Sequence, residues 1–151
     1  MLKQIALLAS TSVLGFAGVA QGAQTPFTIT DTIDFRTGAR AFTATGPLCA
    51  SGTYEDDILV EAFPAEPSVP HSLDAGNVLI RTVFTCADGS GTFNGLKHFR
   101  VTFLNDTSIT TKGQLELKGG TGAYVGLSGH GSVVGGTIDE VGGGFTTGVL
   151  R

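Results

Sequence analysis

Phe27-Thr28-Ile29-Thr30-Asp31-Thr32-Ile33-Asp34-Phe35 places its large apolar side chains at odd positions and its threonines at even ones. A period of two is that of a β-strand with one face buried and the other wetted. Asp31 breaks the rule, because it falls on the apolar parity between Ile29 and Ile33. In a regular strand its carboxyl group enters the interior, where loss of water disfavours the charged form and suits general acid/base chemistry. A bulge, or a position at the mouth of the fold, would instead leave it in water.

The same period recurs along the chain. Phe99, Val101 and Phe103 alternate with His98, Arg100 and Thr102, and Leu115 and Leu117 alternate with Gln114, Glu116 and Lys118. On this reading Phe99, Val101 and Phe103 are core, while Lys97, His98 and Arg100 form a solvated face. Shorter candidates lie at 42–45, 58–63, 78–85, 124–128, 132–138 and 145–150. Clusters of Gly, Pro, Asn and Asp separate them at 45–47, 65–70, 87–91, 105–106 and 142–144. No sustained helical period follows residue 23. Short strands recurring with glycine-rich turns predict an all-β sandwich or closed barrel. Closure removes the flat edges that would recruit neighbouring chains, so a single antiparallel closed barrel is the expectation for residues 24–151. The proline-containing stretch 61–73 reads as a long surface loop within that one domain.

Residues 1–23 have the form of a secretory signal peptide: Lys3, an apolar stretch over 5–19, then Ala20-Gln21-Gly22-Ala23 with small residues for a signal peptidase. The apolar run is short for a membrane span, and no later segment is apolar enough for one. The expected mature protein is therefore secreted and free of the membrane. In that oxidising setting Cys49 and Cys86, the two cysteines of the chain, are expected to pair. Both precede a Gly-containing turn and a Thr-plus-aromatic restart, so a disulfide would staple equivalent ends of two hairpins. The alternative, a reactive or metal-binding thiol pair, lacks the CxxC spacing and nearby histidine it would need.

Composition excludes other classes. Apolar residues make up 41% and charged residues 15% of the chain, against the signature of disorder. A net charge of −4 argues against a nucleic-acid platform and against a polybasic membrane binder.

Residues 119–132, Gly-Gly-Thr-Gly-Ala-Tyr-Val-Gly-Leu-Ser-Gly-His-Gly-Ser, resemble a turn-and-strand motif found late in dirigent proteins, allene oxide cyclases and secreted bacterial proteins with the same barrel. Asp88-Gly89-Ser90-Gly91-Thr92-Phe93 resembles a hairpin restart in the bacterial relatives. The resemblance covers about residues 25 to 151 and implies an eight-stranded antiparallel barrel. It also implies a cofactor-free lumen that orients a reactive, mostly apolar intermediate, and a homo-oligomer built through the barrel exterior.

Asp31 and Tyr124 are the candidate catalytic groups, and Arg100 and His130 the candidate ligand contacts. Arg100 would serve only if its strand faced the other way, and His130 shares a parity with Tyr124 and Ser128 that could rim a pocket. Glu55-Asp56-Asp57 reads as a solvated hairpin tip, since the alternating carboxylates and closing Glu of a calcium loop are absent. His71, His98 and His130 have no metal-ligand spacing, no Gly-x-Ser-x-Gly elbow occurs, and Gly119-Gly120-Thr121-Gly122 lacks the Lys-Ser/Thr ending of a phosphate loop. Neither metal nor cofactor is expected. Two functions remain: a secreted barrel that binds a small apolar ligand or plays a structural role, and a cyclase- or dirigent-like protein that shapes an intermediate in its lumen.

Overall fold

A computed structural model describes residues 23–63, 75–105, 107–138 and 140–151. The expected leader, apart from Ala23, and most of the expected loop at 61–73 lie outside the described residues. Eight strands follow in order: β1 (Thr25–Asp34), β2 (Ala39–Thr45), β3 (Ser51–Ala62), β4 (Ala75–Cys86), β5 (Thr92–Asn105), β6 (Ser108–Gly120), β7 (Ser128–Ile138) and β8 (Val141–Leu150). Each pairs antiparallel with the next, and β8 pairs with β1 from Thr25↔Leu150 to Asp34↔Val141, closing the barrel. The fold is the expected one.

Parity decides what faces the lumen. In β1, Phe27, Ile29 and Asp31 are buried while Thr30 and Thr32 are exposed. In β6, Leu115 and Leu117 are buried between the exposed Gln114, Glu116 and Lys118.

Three local expectations are corrected. Glu55-Asp56-Asp57 is no hairpin tip: it lies mid-strand in β3, paired with Val83, Thr82 and Arg81 of β4. Carboxylates in a strand are satisfied there by cross-strand partners, Thr82 for Asp56 and Arg81 for Asp57. Gly142–Gly144 is no turn but part of β8, paired with Ile33, Thr32 and Asp31 of β1 and with Thr137, Gly136 and Gly135 of β7. No strand spans 124–128: a single 3-10 turn (Gly122–Tyr124) leads into an irregular link over 125–127, and β7 begins at Ser128.

The lumen has two unlike halves. The end bearing the β2–β3, β4–β5 and β6–β7 connections is filled. Phe84 and Phe93 stack at 4.7 Å between ring centroids, with Phe42 edge-on to them at 5.1 and 5.6 Å. Leu48, Leu115, Leu117 and Leu150 complete this cluster. The 3-10 turn drops Tyr124 onto Phe93 at 5.2 Å, closing this end of the barrel. Gly95 makes the stack fit, since a Cβ there would stand 2.8 Å from Leu115 Cδ1 and 3.2 Å from Phe84 Cε2. Beyond this cluster, towards the other end, the lumen is open.

The wall is least zipped between β2 and β3, which share three register pairs, Ala41↔Thr53, Phe42↔Gly52 and Thr43↔Ser51. The expected disulfide is present beside this seam. Cys49, in the β2–β3 connection, is bonded to Cys86 at the end of β4, with Cα atoms 5.9 Å apart. A bond spanning 37 positions removes chain entropy from the unfolded state worth about 3–4 kcal/mol. Replacing both cysteines by alanine is expected to lower stability by about that amount, read as the urea midpoint multiplied by an unchanged slope. A loss below about 1 kcal/mol would mean that the seam holds without the bond.

Candidate functional site

The open half of the lumen is a cavity of about 380 Å³. Its wall is apolar: Ile33 from β1, Ile58 from β3, Val78 and Ile80 from β4, Phe99, Val101 and Phe103 from β5, Ile109 from β6 and Val133 from β7. A register shift in β3 between Ile58 and Val60 makes Leu59 an extra residue. This bulge inverts the strand's parity, so Tyr54, Asp56 and Ile58 line the cavity before it and Glu61 and Phe63 after it. β8 contributes Gly142 and Gly144, whose missing side chains leave the room.

Polar groups gather at the floor, where the cavity meets the aromatic stack. Lys97 Nζ donates to Asp31 Oδ2 at 2.9 Å, and both residues are buried, with 3% and 7% of their surface exposed. The second carboxylate is Asp56, whose Oδ1 lies 4.0 Å from the same ammonium and accepts a hydrogen bond from the Thr82 hydroxyl. Below, the ammonium faces the rings of Tyr54 and Phe84 at 5.0 and 5.5 Å, distances at which a cation is attracted to an aromatic face. Arg40 reaches the cavity from β2, and its buried Nε has no hydrogen-bond partner among the described residues. Burial, and then the carboxylates of Asp31 and Asp56, push the Tyr54 hydroxyl well above its ordinary pKa, so it stays a neutral donor.

Asp31 stands where its parity placed it. It pairs regularly with Phe42 on one side and Gly144 on the other, so no bulge turns it outward. Gly144 provides its space, since a Cβ there would lie 2.9 Å from Asp31 Oδ1. The other candidates are elsewhere. Tyr124 is in the plug at the filled end, its hydroxyl 3.3 Å from Ser90 Oγ. Arg100 and His130 are exposed on the outer surface. His130 lies there in an outer groove of about 370 Å³ with His98, Glu116 and Arg151.

The reading of Lys97 as part of a solvated face is corrected: it points into the lumen, whereas His98 and Arg100 are exposed as expected. Lys97 shares the odd parity of Phe99, Val101 and Phe103 in β5, and Asp56 shares the even parity of Tyr54 and Ile58 in β3. That alternation is the signal in the sequence that places both side chains inside, against what their charge suggests. Among the described residues, no group of three or more His, Cys, Asp or Glu is placed to hold a metal ion. No described helix is long and apolar enough to cross a membrane. No family model, curated protein or solved structure matches this chain.

Two outcomes test this site. Lys97→Met strands the Asp31 charge in the lumen and should cost about 3–5 kcal/mol, while adding Asp31→Asn should restore most of it. A double variant as unstable as the single one in urea would show that lost packing, not uncompensated charge, is the cause. The second test follows from Tyr54, whose pKa is raised on folding above its ordinary value of 10.0. Its contribution is complete below pH 10 and is lost as pH rises further, because only the unfolded chain ionises there. Stability should fall by up to about 1.4 kcal/mol per pH unit above that point. Tyr54→Phe should flatten this part of the profile; an unchanged slope would place the alkaline sensitivity elsewhere.

Proposed function

We propose that this protein is a secreted barrel that binds a small, mainly apolar molecule in the open half of its lumen. The observation that carries this reading is the shape and chemistry of that half: a cavity of about 380 Å³ with apolar walls and one polar floor. Small-molecule sites are concave, mostly apolar, of about 300–1,000 Å³, and furnished with a few convergent polar groups that set orientation. The filled half supplies a rigid base, so binding needs no collapse of the barrel. The disulfide fits an oxidising, extracellular setting.

The floor favours a second reading, that of a cyclase- or dirigent-like protein. Asp31, Lys97 and neutral Tyr54 could stabilise or move charge on an intermediate held away from water, with apolar walls limiting its conformations. Both readings begin with occupancy of the same cavity, and the identity of the bound molecule separates them.

The test is native mass spectrometry of the mature protein purified from its secreting host. A reproducible mass excess, removed by organic solvent, is the expected result, and its chemistry distinguishes carrier from cyclase. Val101→Trp, which fills the mid-cavity, should weaken retention of that molecule by about tenfold or more, or about 1.4 kcal/mol, with the far-ultraviolet dichroism of the barrel unchanged. A bare mass in every preparation, or retention that ignores Val101→Trp, would overturn lumen binding.

A further inference from the structure

We propose that Lys97 captures an apolar aldehyde as a reversible imine at the floor of the lumen, with Asp31 as counter-ion to the iminium. This inference rests on the lumen being a small-molecule site and specifies what its floor takes.

Lys97 is the one lysine that reaches the cavity among the described residues; Lys112 and Lys118 are exposed on the outside of β6. A buried ion pair is weak ground for stability, since a well-packed apolar pair of similar volume commonly does as well. Here the pair stands at the base of an apolar cavity, where an amine can meet a ligand carbonyl out of bulk water. Among the charged groups lining the cavity, the carboxylates of Asp31, Asp56 and Glu61 outnumber the cations of Lys97 and Arg40, which disfavours a ligand carboxylate, whereas a neutral carbonyl carries no such penalty. The Tyr54 ring, which also belongs to the cavity lining, lies 5.0 Å from the ammonium, and its hydroxyl is kept protonated by burial and by the carboxylates of Asp31 and Asp56.

The chemistry needs no oxidant, reductant or metal. Asp31 takes one proton from the Lys97 ammonium, and the freed amine nitrogen attacks the aldehyde carbon to form a C–N bond. A proton passes from that nitrogen to the former carbonyl oxygen, giving a neutral carbinolamine. The C–O bond then breaks, and the hydroxyl leaves as water with the proton returned by Asp31. The nitrogen ends as an iminium with the single positive charge it began with, so the pairing with Asp31 survives the reaction. Return of water reverses every step.

The test uses the mature protein and naphthaldehyde, an apolar aldehyde, supplied below one equivalent with cyanoborohydride to reduce any imine to a stable amine. Peptide mapping should find the adduct on Lys97 in preference to Lys112, Lys118 and the N-terminal amine by about tenfold or more, the advantage of a held over a free aldehyde. The comparison is internal to one wild-type molecule, so it does not depend on a variant folding. Lys97→Arg, which keeps the charge but cannot form an imine, should still show naphthaldehyde bound in native spectra and yield no lumen adduct. Native spectra with naphthaldehyde bound, but adducts only on the exposed amines, would overturn the imine and leave lumen binding standing. No bound naphthaldehyde, together with a bare mass from the secreting host, would overturn both.

Discussion

A lysine ammonium inside a barrel must be neutralised where it stands, and the arrangement of this lumen follows from that requirement. Asp31 supplies the direct partner, Asp56 a second carboxylate, and the faces of Tyr54 and Phe84 the remaining stabilisation. Three strands, β1, β3 and β4, converge on one atom of β5. Removing one member leaves a charge without compensation, so the group behaves as a unit. It also divides the lumen, with the packed aromatic plug on one side and the open cavity on the other.

Much of the fold was legible because period two is hard to disguise. Phe27, Ile29 and Ile33 against their threonines, or Leu115 and Leu117 against Gln114 and Glu116, admit one face assignment each. Asp31 was legible for the same reason, as the polar residue that broke an otherwise clean stripe. Its partners were not. Lys97 and Asp56 were read by charge, although each kept the parity of its apolar neighbours, and a charge inside a lumen makes sense only once its partner from a distant strand is known. Residues 124–128 show a different limit: alternation over a few residues cannot be told from an irregular link that drops one aromatic ring into the core. Arg100 and His130, the expected ligand contacts, occupy the outward parity of stretches that pair in register, and nothing in the pairing of β5 and β7 around them turns them inward.

The barrel is not equally closed all round. β2 and β3 hold each other through few pairs, and the register shift in β3 redirects Glu61 and Phe63 towards the mouth. The Cys49–Cys86 bond ties the short connection beside that seam to β4, on the far side of β3. The covalent link therefore bypasses the weakest run of hydrogen bonds, and it does so at the filled end, where the aromatic stack needs a fixed wall to lean on.

Where β8 borders the cavity, it presents Gly142 and Gly144 to the lumen instead of side chains. Backbone has no rotamers to change, so that part of the contour cannot reshape itself around a guest as a leucine- or methionine-lined wall does. Discrimination at this surface is steric and abrupt: a guest either clears the main chain or meets it. Nor can the contour be padded freely: an alanine Cβ at Gly142 would come within 2.9 Å of Thr137 Oγ1 and 3.0 Å of Ile33 Cγ2, and at Gly144 it presses on the Asp31 carboxylate itself.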